Sequence, residues 1–165
     1  MKYLICICTF SLFFLACSKN KNELCNYDPC AILANTAEVT ALENSLAANS
    51  VTATKHCSGL YYIIDVAGTG SSPDVCATVS VKYKGQLTTT GAVFDEATTP
   101  VSFVLNGLIE GWKKTITLLK TGGKMRMWVP ASLAYGGQVI RDGSGNIIIP
   151  ANTTLYFEVE LVGFN

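Results

Sequence analysis

Gly107–Leu119 reads Gly-Leu-Ile-Glu-Gly-Trp-Lys-Lys-Thr-Ile-Thr-Leu-Leu. Trp112, Ile116 and Leu119 recur at i, i+4 and i+7, the spacing of one face of an α-helix. Lys113, Lys114 and Lys120 take the other side or the end, where cations suit the helix dipole. Gly122 supplies the stop. From Leu60 onward the rest of the chain is short runs of β-branched and aromatic residues, and a sheet of such strands has one apolar face to cover. Within the domain this helix is the only good candidate for the cover. The predicted class is therefore α+β, an antiparallel sheet wrapped on one short helix. Trp112 points a large ring into the concavity of that sheet, as core or as the floor of a pocket.

The strands are read outward from there. Thr78–Lys84 alternates, with Val79, Val81 and Tyr83 on one face and Ser80, Lys82 and Lys84 on the other. Leu60–Val66 precedes it. A turn at Thr88–Gly91 leads into Val93–Asp95, and Val101–Leu105 reads as a separate strand. Lys124–Val129 sets Met125, Met127 and Val129 against Lys124, Arg126 and Trp128. Ala151–Leu161 closes the domain with Leu155, Phe157, Val159 and Leu161 on one side. Upstream, Asn35-Thr-Ala-Glu38 has the form of a capping box, opening a helix to about Asn49 with Val39, Leu42 and Leu46 on one face. That narrow stripe is expected to pack on the following domain, with Asn49–His56 as a linker.

Lys plus Arg and Asp plus Glu are both 12 in 165 residues, which gives no electrostatic footprint for nucleic acid. Met1-Lys2 and the apolar run Tyr3–Ala16 fit a secretory signal, too short to span a bilayer. The run ends at Cys17 and resembles a bacterial lipoprotein signal, in which that cysteine is lipidated. Phe14 and Leu15 depart from the usual residues there. The implied organisation is a signal peptide over 1–16, a tether and cysteine-containing helical extension over 17–57, and the main domain over 58–165. Lipid on Cys17 would hold that domain at a bacterial membrane, in the periplasm or at the cell surface.

Cys25, Cys30, Cys57 and Cys76 then remain, and an even number in an exported chain favours two disulfides with three possible pairings. Consecutive pairing, Cys25 with Cys30 and Cys57 with Cys76, is the reading preferred here. A zinc site would need a CxxC pair, and the only histidine, His56, reads as a surface residue. No metal and no cofactor is expected. Thr121-Gly-Gly-Lys124 lacks the first glycine and the hydroxyl residue of a phosphate loop. Asp142-Gly-Ser-Gly-Asn146 is a turn rather than a calcium loop, since no bidentate Glu follows. A single histidine in a linker excludes a Ser-His-acid set.

What remains is a group of aromatic and aliphatic residues with one acid among them. Six motifs occur in order: Val81-Lys-Tyr-Lys-Gly85, Gly91-Ala-Val-Phe-Asp95, Pro100-Val-Ser-Phe103, Leu108-Ile-Glu-Gly-Trp112, Pro130-Ala-Ser-Leu-Ala-Tyr-Gly136, and Ile148-Ile-Pro150 through Leu155–Leu161. With them the sequence from Ser58 to Asn165 resembles the FKBP-type peptidyl-prolyl cis-trans isomerases. The resemblance implies a half-open curved sheet around one helix, with a proline pocket between them. It implies Trp112 as pocket floor, with Tyr83, Phe94, Phe103, Leu108, Ile109 and Phe157 as walls. Asp95 would be the polar group at the rim. Tyr135 would offer its hydroxyl to a substrate carbonyl, as would the Ile109 N–H, and Ile149 would sit on a loop over the pocket. Proline-containing polypeptides are the implied substrates, and macrolide inhibitors of the family are implied ligands. Gly137–Ile147 is longer than in compact members and is expected to tune substrate preference.

Two other readings fit the same residues. A holdase would bind proline segments without useful turnover, and a scaffold would use only the fold. Tyr83, Asp95, Trp112 and Tyr135 together favour the enzyme, because a scaffold has no need of the set.

Overall fold

A computed structural model describes residues 25–165. The signal run 3–16, Cys17 and the polar tether 18–23 lie outside the described residues. The strand β8 (Leu155–Phe164) shows how alternation builds the sheet: Leu155, Phe157, Val159 and Leu161 are buried, and Tyr156, Glu158 and Glu160 take the other face. It lies between β5 (Lys124–Val129) and β3 (Thr78–Leu87), with Met127 opposite Phe157 and Gly85 opposite Phe157 on the other side. β1 (Thr54–Lys55), β2 (Tyr61–Val66) and β4 (Val93–Val104) complete a six-stranded antiparallel sheet in the order β1-β2-β5-β8-β3-β4. On the outer face Arg126 pairs with Asp65 at 2.7 Å and Lys124 with Glu160 at 3.3 Å. Exposed pairs of this kind contribute little. Burial of the inner face holds the sheet.

Val93–Asp95 and Val101–Leu105, expected as two strands, are one. β4 pairs Val101 with Val81 but Ala97 with Tyr83, so extra residues bulge out around Pro100. Proline has no N–H for a ladder and is tolerated on an edge strand at a bulge. A second shift, at Gly85/Gln86, pairs Asp95 with Gly85 and Val93 with Gln86, leaving Phe94 unpaired. Adjacent residues of a regular strand point to opposite faces. The bulge is why both Phe94 and Asp95 reach the concave side.

The central helix α2 spans Glu110–Ile116, shorter than Gly107–Leu119, because Leu105–Gly107 is a 3₁₀ turn and the chain leaves the helix at Thr117. Trp112, Ile116 and Leu119 are buried in the core as the spacing predicts. Gly111 allows the close approach, since a Cβ there would overlap both methyls of Val129. Lys114, expected on the exposed side, is instead fully buried. Segment 25–34 crosses over it, and Lys114 Nζ donates to the Pro29 carbonyl at 2.9 Å.

The helix α1 (Thr36–Ala48) starts at Asn35, whose side chain accepts from the Ala37 N–H at 2.9 Å. Glu38 does not complete a capping box. It turns outward to accept from both the N–H and the hydroxyl of Ser132, at 2.9 and 2.7 Å. Val39, Leu42 and Leu46 pack on Tyr61 and Trp128 at the back of the sheet, as expected. Burying each such aliphatic chain contributes about 1.5–3 kcal/mol. Thr54–Lys55 of the expected linker forms β1.

The disulfides join Cys25 to Cys76 and Cys30 to Cys57, which corrects the consecutive pairing. The reason lies in the path of 25–34. Tyr27 bonds Glu110, Pro29 meets Lys114, and the Ala34 N–H donates to the Ser58 carbonyl. That path carries Cys25 to the chain entering β3 and Cys30 to the chain entering β2. His56, expected at the surface, is half-buried, with Nδ1 2.9 Å from the Ser58 hydroxyl.

Candidate functional site

The bulged β4, the first turn of α2 and the concave face of β3 and β8 leave a cleft of about 180 Å³. Its lining is Tyr83, Phe94, Asp95, Phe103, Leu108, Ile109, Trp112, Tyr135 and Phe157. These nine were expected at one site and the fold brings them together. Ile149 does not join them. It lies in β7 (Ile147–Ile149), is 2% exposed, and belongs to the core. Its strand pairs with β6 (Ile140–Arg141), so the segment expected as an extended loop is a hairpin. Asp142 closes the turn by accepting from the N–H groups of Ser144 and Asn146, both at 2.9 Å.

Trp112 sits in the middle of the aromatic set. Its ring meets Tyr83 at 5.3 Å, Phe157 at 5.5 Å and Phe103 at 6.3 Å between centroids, all close to perpendicular. Edge-to-face contacts direct the positive edge of one ring at the negative face of another and fix their mutual tilt. Phe94 packs on Phe157 in the same way at 5.6 Å. Gly85 makes room for that pair: a Cβ there would lie 2.5 Å from Phe94 Cζ and 3.0 Å from Phe157 Cε1. Sequence reading placed Gly85 in a motif without assigning this role. Nothing local marks it, because the rings come from two other strands.

The polar groups are few. The Tyr83 hydroxyl donates to Asp95 Oδ2 at 2.7 Å. Burial, then the bond to Asp95, pushes the Tyr83 pKa up to about 12. Burial and the neighbouring Asp95 also raise the Tyr135 pKa. Both phenols are therefore protonated at neutral pH, and the Tyr135 hydroxyl has a proton to donate. The side chains of the site offer apolar surface, one neutral donor and one carboxylate already engaged by Tyr83. It holds no nucleophile–base pair. Cys25, Cys76 and Asp74 bring potential ligand atoms within 4.8 Å of one another away from this cleft, but both sulfurs are committed to a disulfide.

The comparisons with known proteins point the same way as this geometry. Residues 70–162 match the family model described as FKBP-type peptidyl-prolyl cis-trans isomerase. The chain is 40% identical over 108 residues to the FKBP-type peptidyl-prolyl cis-trans isomerase FkpA of Aeromonas hydrophila, covering 64% of this chain and 38% of that protein. It thus spans about two-fifths of that relative's length. Among solved structures, FkpA from Escherichia coli superposes with a TM-score of 0.65 at 35% identity, covering 79% of this chain and 59% of the other. A peptidyl-prolyl cis-trans isomerase from Pseudomonas syringae pv. tomato also gives 0.65, at 30% identity, covering 78% of this chain and 94% of that one.

Proposed function

This chain belongs to the FKBP-type peptidyl-prolyl cis-trans isomerase family, and on that premise we propose that it catalyses rotation about Xaa-Pro bonds of polypeptides. The observation that carries the reading is Trp112, 5% exposed at the floor of the cleft and met edge-on by three other aromatic rings. Rotation about an amide meets a barrier of about 18–20 kcal/mol because resonance is lost in the twisted state. The twisted amide carries less charge separation than the planar one. An apolar pocket that excludes water penalises the planar form more and so lowers the barrier. The proline ring lies on Trp112 between Phe94, Phe103 and Phe157. The Ile109 N–H and the Tyr135 hydroxyl hold substrate carbonyls, and Asp95 keeps the Tyr83 ring in place through its hydrogen bond. Macrolide inhibitors of the family would occupy the same cleft.

NMR exchange on Xaa-Pro peptides tests this. Added protein is expected to raise the cis–trans exchange rate, nearly unchanged from pH 6 to pH 8. His56 lies outside the cleft, and burial, then the Lys114 charge, lowers its pKa from 6.5. It is therefore already neutral across most of that range. Tyr135→Phe is expected to lower kcat/KM about 2- to 10-fold, the worth of one neutral hydrogen bond. Tight peptide binding without faster exchange would favour the holdase and overturn the enzyme.

The place of action follows from the N-terminus. We propose that 1–16 is a signal peptide, that 17–57 is a tether and extension, and that the isomerase domain occupies 58–165, anchored to a bacterial envelope membrane through lipid on Cys17. Two disulfides suit an oxidising compartment and support export. Cys17→Ala is expected to move the protein from the detergent phase to the aqueous phase on Triton X-114 partition. Unchanged partition would remove the anchor from the account.

A further inference from the structure

We propose that Tyr27 and Lys114 are positioning residues for the cleft, holding through Glu110 the turn of chain that presents Ile109 and Trp112. The proposal rests on the isomerase reading of that cleft. Glu110 stands between Ile109 and Trp112 in sequence and opens α2. Its Oε2 accepts from the Tyr27 hydroxyl at 2.7 Å and lies 3.6 Å from Lys114 Nζ, while Oε1 pairs with Lys113 at 2.7 Å. The buried Lys114 ammonium donates to the Pro29 carbonyl at 2.9 Å and lies 5.3 Å from the centre of the Tyr27 ring. The Tyr27 and Pro29 contacts tie α2 to segment 25–34, and that segment is fixed by two disulfides, at its start by Cys25 to Cys76 and within it by Cys30 to Cys57.

Three features make this a positioning device rather than added packing. First, α2 has no side-chain cap: Ile109 precedes it and gives none. The Trp112 and Lys113 N–H groups share the Ile109 carbonyl, at 3.1 and 3.3 Å. The first turn therefore takes no hold from a cap, and the contacts of Glu110 add to the packing of Trp112 and Ile116 in fixing it. Second, a buried ammonium is costly unless paired and hydrogen-bonded, and an aliphatic side chain of similar length would pack without that cost. Burial lowers the Lys114 pKa while Glu110 opposes the shift. In this arrangement the Lys114 ammonium is satisfied by the Pro29 carbonyl and by Glu110, which segment 25–34 and α2 supply together. Third, the neighbours of Glu110 are the residues whose placement the cleft needs, Ile109 beside it and Trp112 two further on.

The test uses the full chain with disulfides oxidised, in a Trp128→Phe parent so that Trp112 alone fluoresces. Tyr27→Phe and Lys114→Met are each expected to lower kcat/KM on an Xaa-Pro peptide about fivefold, an effect the size of one hydrogen bond. Activities are compared at a temperature where circular dichroism shows all variants folded. Acrylamide quenching of Trp112 is expected to increase in both, because the ring is no longer held against Tyr83 and Phe157. Glu110→Gln, which weakens the contacts to Tyr27, Lys113 and Lys114 together, is expected to move both readouts in the same direction as the single variants. Variants that lose thermal stability but keep parental kcat/KM and Trp112 quenching would show a merely structural role and overturn the proposal. A Glu110→Gln protein with parental kcat/KM and Trp112 quenching would overturn it too. If the parent has no isomerase activity, the functional reading fails, and Trp112 quenching alone then decides whether Tyr27 and Lys114 hold the turn.

Discussion

Trp112→Ala is expected to lower kcat/KM for Xaa-Pro isomerisation about 10- to 100-fold, which corresponds to roughly 1.4–2.7 kcal/mol of transition-state stabilisation. The indole is the surface on which the proline ring lies, and it also keeps three other rings tilted toward the cleft. Its removal admits water beside the amide, restoring the solvation that favours the planar form. The same change costs stability, since an aromatic deleted from a core typically costs about 3–5 kcal/mol. The two effects separate by measurement: urea unfolding gives the stability loss, and exchange rates are taken well below the shifted midpoint. Trp112→Phe is the informative partner, because it keeps an apolar floor while losing part of the area, and it should retain most of the activity. A folded Trp112→Ala protein with parental exchange rates would place the chemistry elsewhere.

What could be read from the sequence was whatever repeats locally. Leu155, Phe157, Val159 and Leu161 alternate, and Trp112, Ile116 and Leu119 return every three to four residues, so their buried faces were legible. The face of Phe94 was legible only through the family resemblance, because strand alternation sends it and Asp95 to opposite sides and only a shift of register at Gly85/Gln86 brings both to the cleft. Ile147, Ile148 and Ile149 are chemically alike, so nothing local distinguishes the inward one from the others. In the structure Ile149 is buried while Ile147 is 53% exposed. Lys114 was misplaced for a related reason: amphipathic patterning assigns a lysine to the solvent face unless a cover is known. The cover comes from segment 25–34, whose Tyr27 meets Glu110 across 83 residues of chain. The same non-local path decides the cysteine pairing, which the order of four cysteines leaves three ways open.

Removing the Cys30–Cys57 disulfide is expected to destabilise the domain more than removing Cys25–Cys76, against the order that loop length dictates. The disulfides close separations of 27 and 51 residues respectively. Chain entropy assigns them about 3.6 and about 4.1 kcal/mol as ceilings, so loop length favours Cys25–Cys76 by only about 0.5 kcal/mol. Cys30 adjoins Pro29, whose carbonyl accepts from the buried Lys114 ammonium. Freeing that part of the segment lets the carbonyl drift and leaves a charged donor short of a partner, which costs on the order of 1–3 kcal/mol. The local term exceeds the entropic difference and should reverse the ranking. Urea unfolding at pH 7 of the Cys30→Ser/Cys57→Ser and Cys25→Ser/Cys76→Ser proteins measures both losses. Repeating the pair in a Lys114→Met background isolates the charge: with no ammonium to leave stranded, the ranking should return to the small gap set by loop length. A larger loss for Cys25–Cys76 in the parent would mean that Pro29 is held by its neighbours without the crosslink, and the segment would then owe its position to packing alone.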